Sequence, residues 1–474
     1  MPENSWPERK AYNELEPISS LTSDLSESED IDSHFYRGQV GRRRKAAMAL
    51  SIIWSSTIAL HLLPWGSWIV LGLTTVMSLH GLRVLLAHPL STPDPLPEKE
   101  QADLDNEQNW PYVSLLVAAK NEEAVIVNLV KALCSLDYPA CRYDLWLIDD
   151  NSTDRTPMLL DQLAKEYEQL HVIHRSAGAG GGKSGALNQV WQLTQGEILG
   201  VFDADAQVPE DLLRRVLPLF QRQQVGAVQV RKTIANADQN FWTKGQQAEM
   251  ALDAYFQQQR IAVGGIGELR GNGQFVRRQA VAFCGGWNEE TITDDLDLTL
   301  RLHLSHWDVD FLIFPAVEEE GVTQAISLWH QRNRWGEGGY QRYLDYWRLI
   351  ARNRLGPVKT LDLFMFWMTQ YLLPTATIPD FLMAIARNRL PILSPVTGLT
   401  LTMSLVGMFI GLRRIRKRSA FVAFLQAVRG TFYMLHWFVI VASVTARMSV
   451  RPKRLKWVKT IHQGSDEVQL DTPV

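Results

Sequence analysis

The apolar residues of this chain are collected into blocks of bilayer length near its two ends, and no other feature restricts the fold as much. A first run, Ala46–Leu63, is interrupted by Pro64 and Trp65, and a second extends from Gly66 to Ala87. Each approaches the ~20 residues that cross a hydrocarbon core. Three more blocks lie at about 361–386, 391–412 and 419–446. Arg42-Arg43-Arg44-Lys45 precedes the first run. Basic residues beside a span stay in the cytoplasm, so the leading pair reads as a hairpin that brings the chain back there. A cleaved leader is disfavoured, because the run starts far from residue 1, lacks a small-residue cleavage site and is followed by another span. Arg413-Arg414-Ile415-Arg416-Lys417-Arg418 should also be cytoplasmic, and so should the basic segment Arg451–Lys456. Three full spans would violate that rule. One block is therefore expected to be interfacial or re-entrant, either 361–386 with Pro374 and Pro379 or the last block with Arg429-Gly430. Region 359–448 thus holds two to four spans.

The polar remainder divides easily. Residues 1–41 lack apolar periodicity, carry Glu27, Glu29, Asp30 and Asp32, and are expected to be disordered. Residues 88–110, with Pro89, Pro93, Pro95 and Pro97, read as a linker. Residues 339–358, rich in Tyr, Trp and Arg (Tyr340, Arg342, Tyr343, Tyr346, Trp347), read as an amphipathic helix at the membrane interface, with an ordinary surface helix as the plainer alternative. Residues 449–474 form a basic, then polar tail. A net charge of −3 favours no nucleic-acid partner. Cys134, Cys141 and Cys284 have neither disulfide-framework nor zinc spacing, which suits a reduced, cytosol-facing domain.

From 111 to 338 the pattern changes. Short apolar runs (Tyr112–Ala119, Tyr143–Ile148, Glu197–Phe202, Val225–Val230) alternate with helical stretches such as Glu122–Leu136 and Arg155–Leu170. Such alternation predicts an α/β domain with a mostly parallel sheet, whose ligands sit beyond the carboxyl ends of the strands. The acidic clusters fall at those ends. Asp203-Ala204-Asp205 follows the run Ile198–Phe202, and two hard carboxylates so spaced suit Mg²⁺, or Mn²⁺, shared with a diphosphate. Asp149-Asp150 follow another strand, where Ser152 or Asp154 can cap the next helix and one of the two aspartates can hold a base or ribose. Gly178–Gly185 is a glycine-rich loop ending in Lys183 and a helix start, a place for an anion. It matches a P-loop formally, but in mid-domain, which disfavours an ATPase. Thr293-Asp294-Asp295 opens the helix Leu296–His303, with Thr293 as a possible cap. Asp294, Asp295 and Asp297 crowd like charges, which raises the pKa of at least one and suits a general base. In Gln331–Trp335, Arg332 and Arg334 could clamp a diphosphate and Trp335 could wall a sugar ring.

Taken in order, Ala119-Lys120-Asn121-Glu122-Glu123, Asp149-Asp150 with Ser152-Thr153-Asp154, Gly182–Asn188, Asp203-Ala204-Asp205, Thr293-Asp294-Asp295 and Gln331–Trp335 resemble the membrane-bound inverting glycosyltransferases of family 2, which include cellulose, chitin and hyaluronan synthases. The resemblance covers roughly 110–340. It implies a GT-A (Rossmann-like) domain, here the cytoplasmic 111–338, embedded between transmembrane helices, with UDP-glucose as donor and Mg²⁺ or Mn²⁺ as cofactor. It further implies that Asp149 or Asp150 contacts uracil and that Lys183 belongs to the donor loop. Asp203 and Asp205 would bind the metal and UDP. Asp295, beside Asp294, aligns with the base, while Gln331, Arg334 and Trp335 form an acceptor and diphosphate gate. The family's usual Thr-Glu-Asp is Thr-Asp-Asp here, which touches acceptor geometry rather than the base. The acidic N-terminus, the two leading spans and the tail near Trp457–Thr460 are most similar to the cyanobacterial members that glucosylate diacylglycerol. The expected acceptor is therefore a membrane lipid, 1,2-diacylglycerol; a processive β-polysaccharide synthase is the alternative.

Overall fold

The computed structural model describes residues 39–98, 110–416 and 419–450. The expected disordered N-terminus up to residue 38, linker residues 99–109, Lys417-Arg418 and the tail from Arg451 lie outside the described residues. Two helices lead, α1 (Gln39–Leu62) and α2 (Gly66–Leu85), and they are broken at Pro64-Trp65 as expected. A domain of alternating strands and helices follows. In chain order it contains β1 (Val113–Ala119), α3 (Ile126–Cys134), β2 (Tyr143–Asp149), α4 (Thr156–Glu166), β3 (Leu170–His174), α5 (Gly182–Trp191), β4 (Ile198–Phe202) and β5 (Val225–Ile234). It continues through α6 (Phe241–Ala262), β6 (Gln274–Arg277), α7 (Asp294–Leu304), β7 (Asp308–Glu319) and α8 (Ala325–Ala351). The last part is helical: α9 (Pro357–Trp367), a π-helical turn (Met368–Leu372), α10 (Leu373–Ala386), α11 (Ser394–Arg416), α12 (Ala420–Met434) and α13 (His436–Val450).

The seven strands form one sheet in the order β3-β2-β1-β4-β6-β5-β7. All neighbours are parallel except β6, which runs antiparallel to β4 and β5. Every residue of β1 and β4 is buried. Both faces of a parallel sheet are covered by helices, so its central strands read as unbroken apolar runs. Ala119 pairs with Asp149 and Val117 with Phe202, which brings the carboxyl ends of β2, β1 and β4 to one edge. The mostly parallel GT-A-type sheet was legible in the sequence. Short β6, long β7 and the polar helix α6 were not.

Helix α6 joins the sheet domain to the terminal helices. Asn240 caps it by accepting from the Trp242 and Thr243 amides, while Thr243 Oγ1 accepts from the Asn240 amide, a reciprocal capping box. Its Ala248, Ala251 and Leu252 pack on Met408 and Leu412 of α11 and on Ala423 and Ala427 of α12. Among the described residues four helices are long and apolar enough to cross a membrane: Gly41–Leu62, Gly66–Leu85, Ser394–Ile415 and Ala420–Val450. The block at 361–386 is not one of them. It is divided by the π-helical turn and carries Asp362 and Asp380, buried against Arg260 and His61 respectively.

Two sequence expectations need correction here. The boundary at residue 339 falls inside one continuous helix, α8, and Tyr340, Tyr343 and Tyr346 are buried in the protein rather than lying on its surface. Aromatic residues suit a membrane interface and an internal helix equally well. Glycine decides the matter: a Cβ at Gly338 would collide with Thr293, and one at Gly339 with the Tyr371 hydroxyl. The basic quartet at 42–45 is also not purely a charge signal. Arg42 is buried, donating to Asp345 at 2.6 Å and to the Glu290 carbonyl at 2.6 Å.

Candidate active site

Helix α5 begins where the glycine run ends. Gly181 holds φ +79°, a left-handed conformation that side chains avoid, and turns the chain into α5 so that Gly182, Lys183 and Ser184 face a cavity of about 820 Å³. Across it, the chain leaving β4 presents Asp203 and Asp205. The Lys183 ammonium donates to Asp203. Burial alone would lower the Lys183 pKa, but Asp203, Asp294 and Asp295 outweigh it and keep this side chain firmly cationic. Asp205 accepts from the Glu320 amide at 3.2 Å.

Thr293-Asp294-Asp295 forms another wall of the same cavity. Thr293 does not cap α7; its hydroxyl is buried against Gly338 without a hydrogen bond. Asp295 Oδ1 accepts from the Leu296 amide at 2.8 Å. Burial, then repulsion from Asp294, pushes the Asp295 carboxyl up to about 6. Burial also raises Asp294. Asp297 takes no part in this crowding: it faces Arg301 at 2.7 Å, and Asn288 and the Tyr346 hydroxyl at 3.0 Å each. The expected cluster of three is therefore a pair: two residues beyond Asp295 the helix has rotated by about 200°, which turns Asp297 away from the cavity and against Arg301 and Tyr346.

Gln331, Arg334 and Trp335 line the cavity from α8. Arg332, their neighbour, is fully buried, pairs with Glu249 at 2.6 Å and stacks 4.1 Å from the Trp335 ring centroid. The Lys232 ammonium lies 5.6 Å from the Trp335 ring centroid and 3.0 Å from Glu319. The structure thus gathers Lys183, Asp203, Asp205, Asp294, Asp295, Gln331, Arg334 and Trp335 around one space.

Asp149 and Asp150 are not among the residues lining that space. Both are buried and engaged internally: Asp149 accepts from the Ser152 amide at 3.0 Å and pairs with His174 at 3.0 Å, and Asp150 pairs with Arg175 and lies 3.5 Å from Lys120. Asp154 and Ser152 accept from the Glu123 and Asn121 amides, tying the turn after β1 to the one after β2. Sequence reading also missed Arg270. It bridges Asp253 and the fully buried Glu268, each at 2.7 Å, and lines the cavity near Asp295. Its one signal was a Glu-x-Arg set between glycines. Gly271, at φ +82°, leaves room beside Asp295, since a Cβ there would stand 3.5 Å from Asp295 Oδ2.

The donor set suits a hard divalent cation, with oxygens from Asp203 and Asp205 and a cationic lysine beside them. Among the described residues no three His, Cys, Asp or Glu side chains gather as a complete metal cage. A cation held here would draw its remaining ligands from a diphosphate and water.

The Glycosyl transferase family 2 model matches residues 114–283, the stretch that holds β1 to β6 and the Lys183–Asp203 pair. A relative from Nostoc sp. (strain PCC 7120 / SAG 25.82 / UTEX 2576), "Beta-monoglucosyldiacylglycerol synthase", is 62% identical over 98% of this chain and 100% of its own. The chain belongs to glycosyltransferase family 2. A Synechocystis sp. relative of the same name is 56% identical over 99% of each chain. Among solved structures, the Pyrobaculum calidifontis mannosyltransferase PcManGT, in complex with GDP-Man and Mn²⁺, is 18% identical and covers 85% of this chain and 100% of its own with a TM-score of 0.55, a likeness of fold. The family 2 enzyme described here is a membrane-associated hexosyltransferase with a GT-A fold.

Proposed function

We propose that this enzyme moves glucose from UDP-glucose to the 3-hydroxyl of 1,2-diacylglycerol, giving β-monoglucosyldiacylglycerol. The observation that carries this reading is the likeness across 98% of the chain, terminal helices included, to a relative named for that product. A processive polysaccharide synthase would need to share only the catalytic middle. The acceptor oxygen bonds to the anomeric carbon on the face opposite UDP while the bond to the diphosphate breaks, so an α-linked donor yields a β-linked product. The acceptor proton passes to Asp295, placed by the Leu296 amide and kept basic by burial and by Asp294. Lys183 and Arg334 stabilise charge gathering on the departing UDP, and Gln331 and Trp335 position the sugar. Asp203 and Asp205 would hold Mg²⁺, which supplies further neutralisation of that charge when bound. The exposed Arg43, Arg44, Arg413 and Arg414 support a catalytic domain facing the cytoplasm.

Membranes given labelled UDP-glucose, Mg²⁺ and diacylglycerol should form a chloroform-soluble monoglucosyl lipid. Label in an insoluble or high-mass polymer would overturn the acceptor assignment.

The raised Asp295 carboxyl fixes the sign of the pH response. A base accepts a proton only when ionised, so kcat/KM should fall as pH drops below about 6, where Asp295 becomes protonated. Asp294→Asn removes one like charge, favours the ionised form and should move that acidic limb to lower pH. A pH–rate profile of both proteins tests this; an unmoved limb would assign it to another group.

A further inference from the structure

The catalytic cavity does not end at the sheet domain. Away from Asp203 and Lys183 its walls are Met77 of α2, Met365 and Phe366 of α9, Leu401 of α11 and Phe438 of α13. Three of the four helices that could cross a membrane therefore border a space that also contains Asp295. The charged groups at this end are occupied with one another: Arg260 pairs with Asp362 at 2.8 Å, and His80 approaches Asp362 at 3.4 Å. Thr369 and Thr400 also face this end but donate to carbonyls of their own helical segments, and beside Gln370 and Ser404 most of what remains for an occupant is apolar surface, rich in methionines that repack around flexible chains. A sugar polymer would present more hydroxyls to these walls than their few polar groups can partner, at the cost of its hydration. An alkyl chain would lose nothing and remove apolar surface from water.

Helices α2 and α11 meet at a seam made by Gly81 and Met403, which both line the cavity. A Cβ at Gly81 would stand 2.9 Å from the Met403 terminal methyl. The gap is thus closed by the mobile end of a thioether and not by backbone. Resting on the lipid-acceptor reading above, we infer that this seam is the lateral doorway for an acyl chain of the acceptor lipid. The slot behind it holds that chain while the glycerol hydroxyl reaches Asp295.

The test compares acceptors differing only in chain length, using the full chain in liposomes. Gly81→Leu fills the seam and should raise KM at least tenfold for a long-chain diacylglycerol, while dihexanoylglycerol is used as by the unaltered enzyme and UDP-glucose binding is unchanged. Met403→Ala opens the seam and should not raise either KM. In the unaltered enzyme, a diacylglycerol with a diazirine near its acyl terminus should label peptides from 66–85 and 394–416. Equal losses for short and long chains with retained donor binding, or photolabel confined to other helices, would overturn the doorway. Should Gly81→Leu fail to fold, the photolabel decides alone. If the unaltered enzyme makes polymer and no lipid product, the acceptor reading fails and the doorway with it, a result distinct from an active enzyme that is indifferent to the seam.

Discussion

Asp295→Asn is expected to abolish nearly all lipid glucosylation, by about 10²–10⁴-fold, the range for losing a positioned general base. The substitution suits the purpose because little else should change. Asparagine keeps the oxygen that accepts from the Leu296 amide at 2.8 Å, so α7 can start as before. It also removes a negative charge from a pocket where burial and Asp294 already oppose ionisation, which leaves the fold unharmed or slightly steadier. UDP-glucose binding, read by calorimetry, should persist, since one negative charge facing the diphosphate is gone. Loss of transfer with intact donor binding would place the defect in the chemical step. A variant within tenfold of the unaltered enzyme would sink the assignment and turn attention to Asp294.

The parts of this site that could be read in advance share a physical origin. Asp203–Asp205 announces itself because carboxylates at the end of an apolar run mark the carboxyl edge of a parallel strand; Asp149-Asp150 gave the same signal at the edge of β2, yet they are spent on internal partners and do not line the cavity. Lys183 was legible because glycines before a helix start leave backbone room for an anion. The partners of these groups could not be read. Arg175 takes Asp150, and His174 takes Asp149, through contacts that depend on how β2 and β3 pair. Glu268 holds Arg270 and Arg342, and Arg342 lies on a helix that composition alone assigned to the membrane surface. Burial would raise Glu268, yet Arg342, Arg270 and Arg260 outweigh it and hold this carboxyl well below the usual range. The error over Asp297 is of another kind. Its partner Arg301 stands four residues on, the spacing of an ion pair along one helix face, so that pairing was legible in the sequence.

Asp203→Asn should lower transfer by about 10²–10³-fold, the typical cost of removing one element of preorganised charge stabilisation. Two consequences of the substitution oppose each other. One of the two carboxylates available to a divalent cation is lost, so the response to added Mg²⁺ or Mn²⁺ should shift to higher concentration. At the same time Lys183 loses the carboxylate it now donates to, and its ammonium becomes available to the donor's phosphates. Donor affinity should consequently fall less than kcat, because the lysine substitutes in binding for charge that it cannot supply in the same place as the bond breaks. Thermal stability should barely move, since Asp203 is partly open to the cavity and its side chain is 40% exposed. Titrating metal against both proteins, with kcat and donor KM measured separately, separates the two effects. An unchanged metal requirement would remove Asp203 from the cation site and leave it as a partner that only orients Lys183.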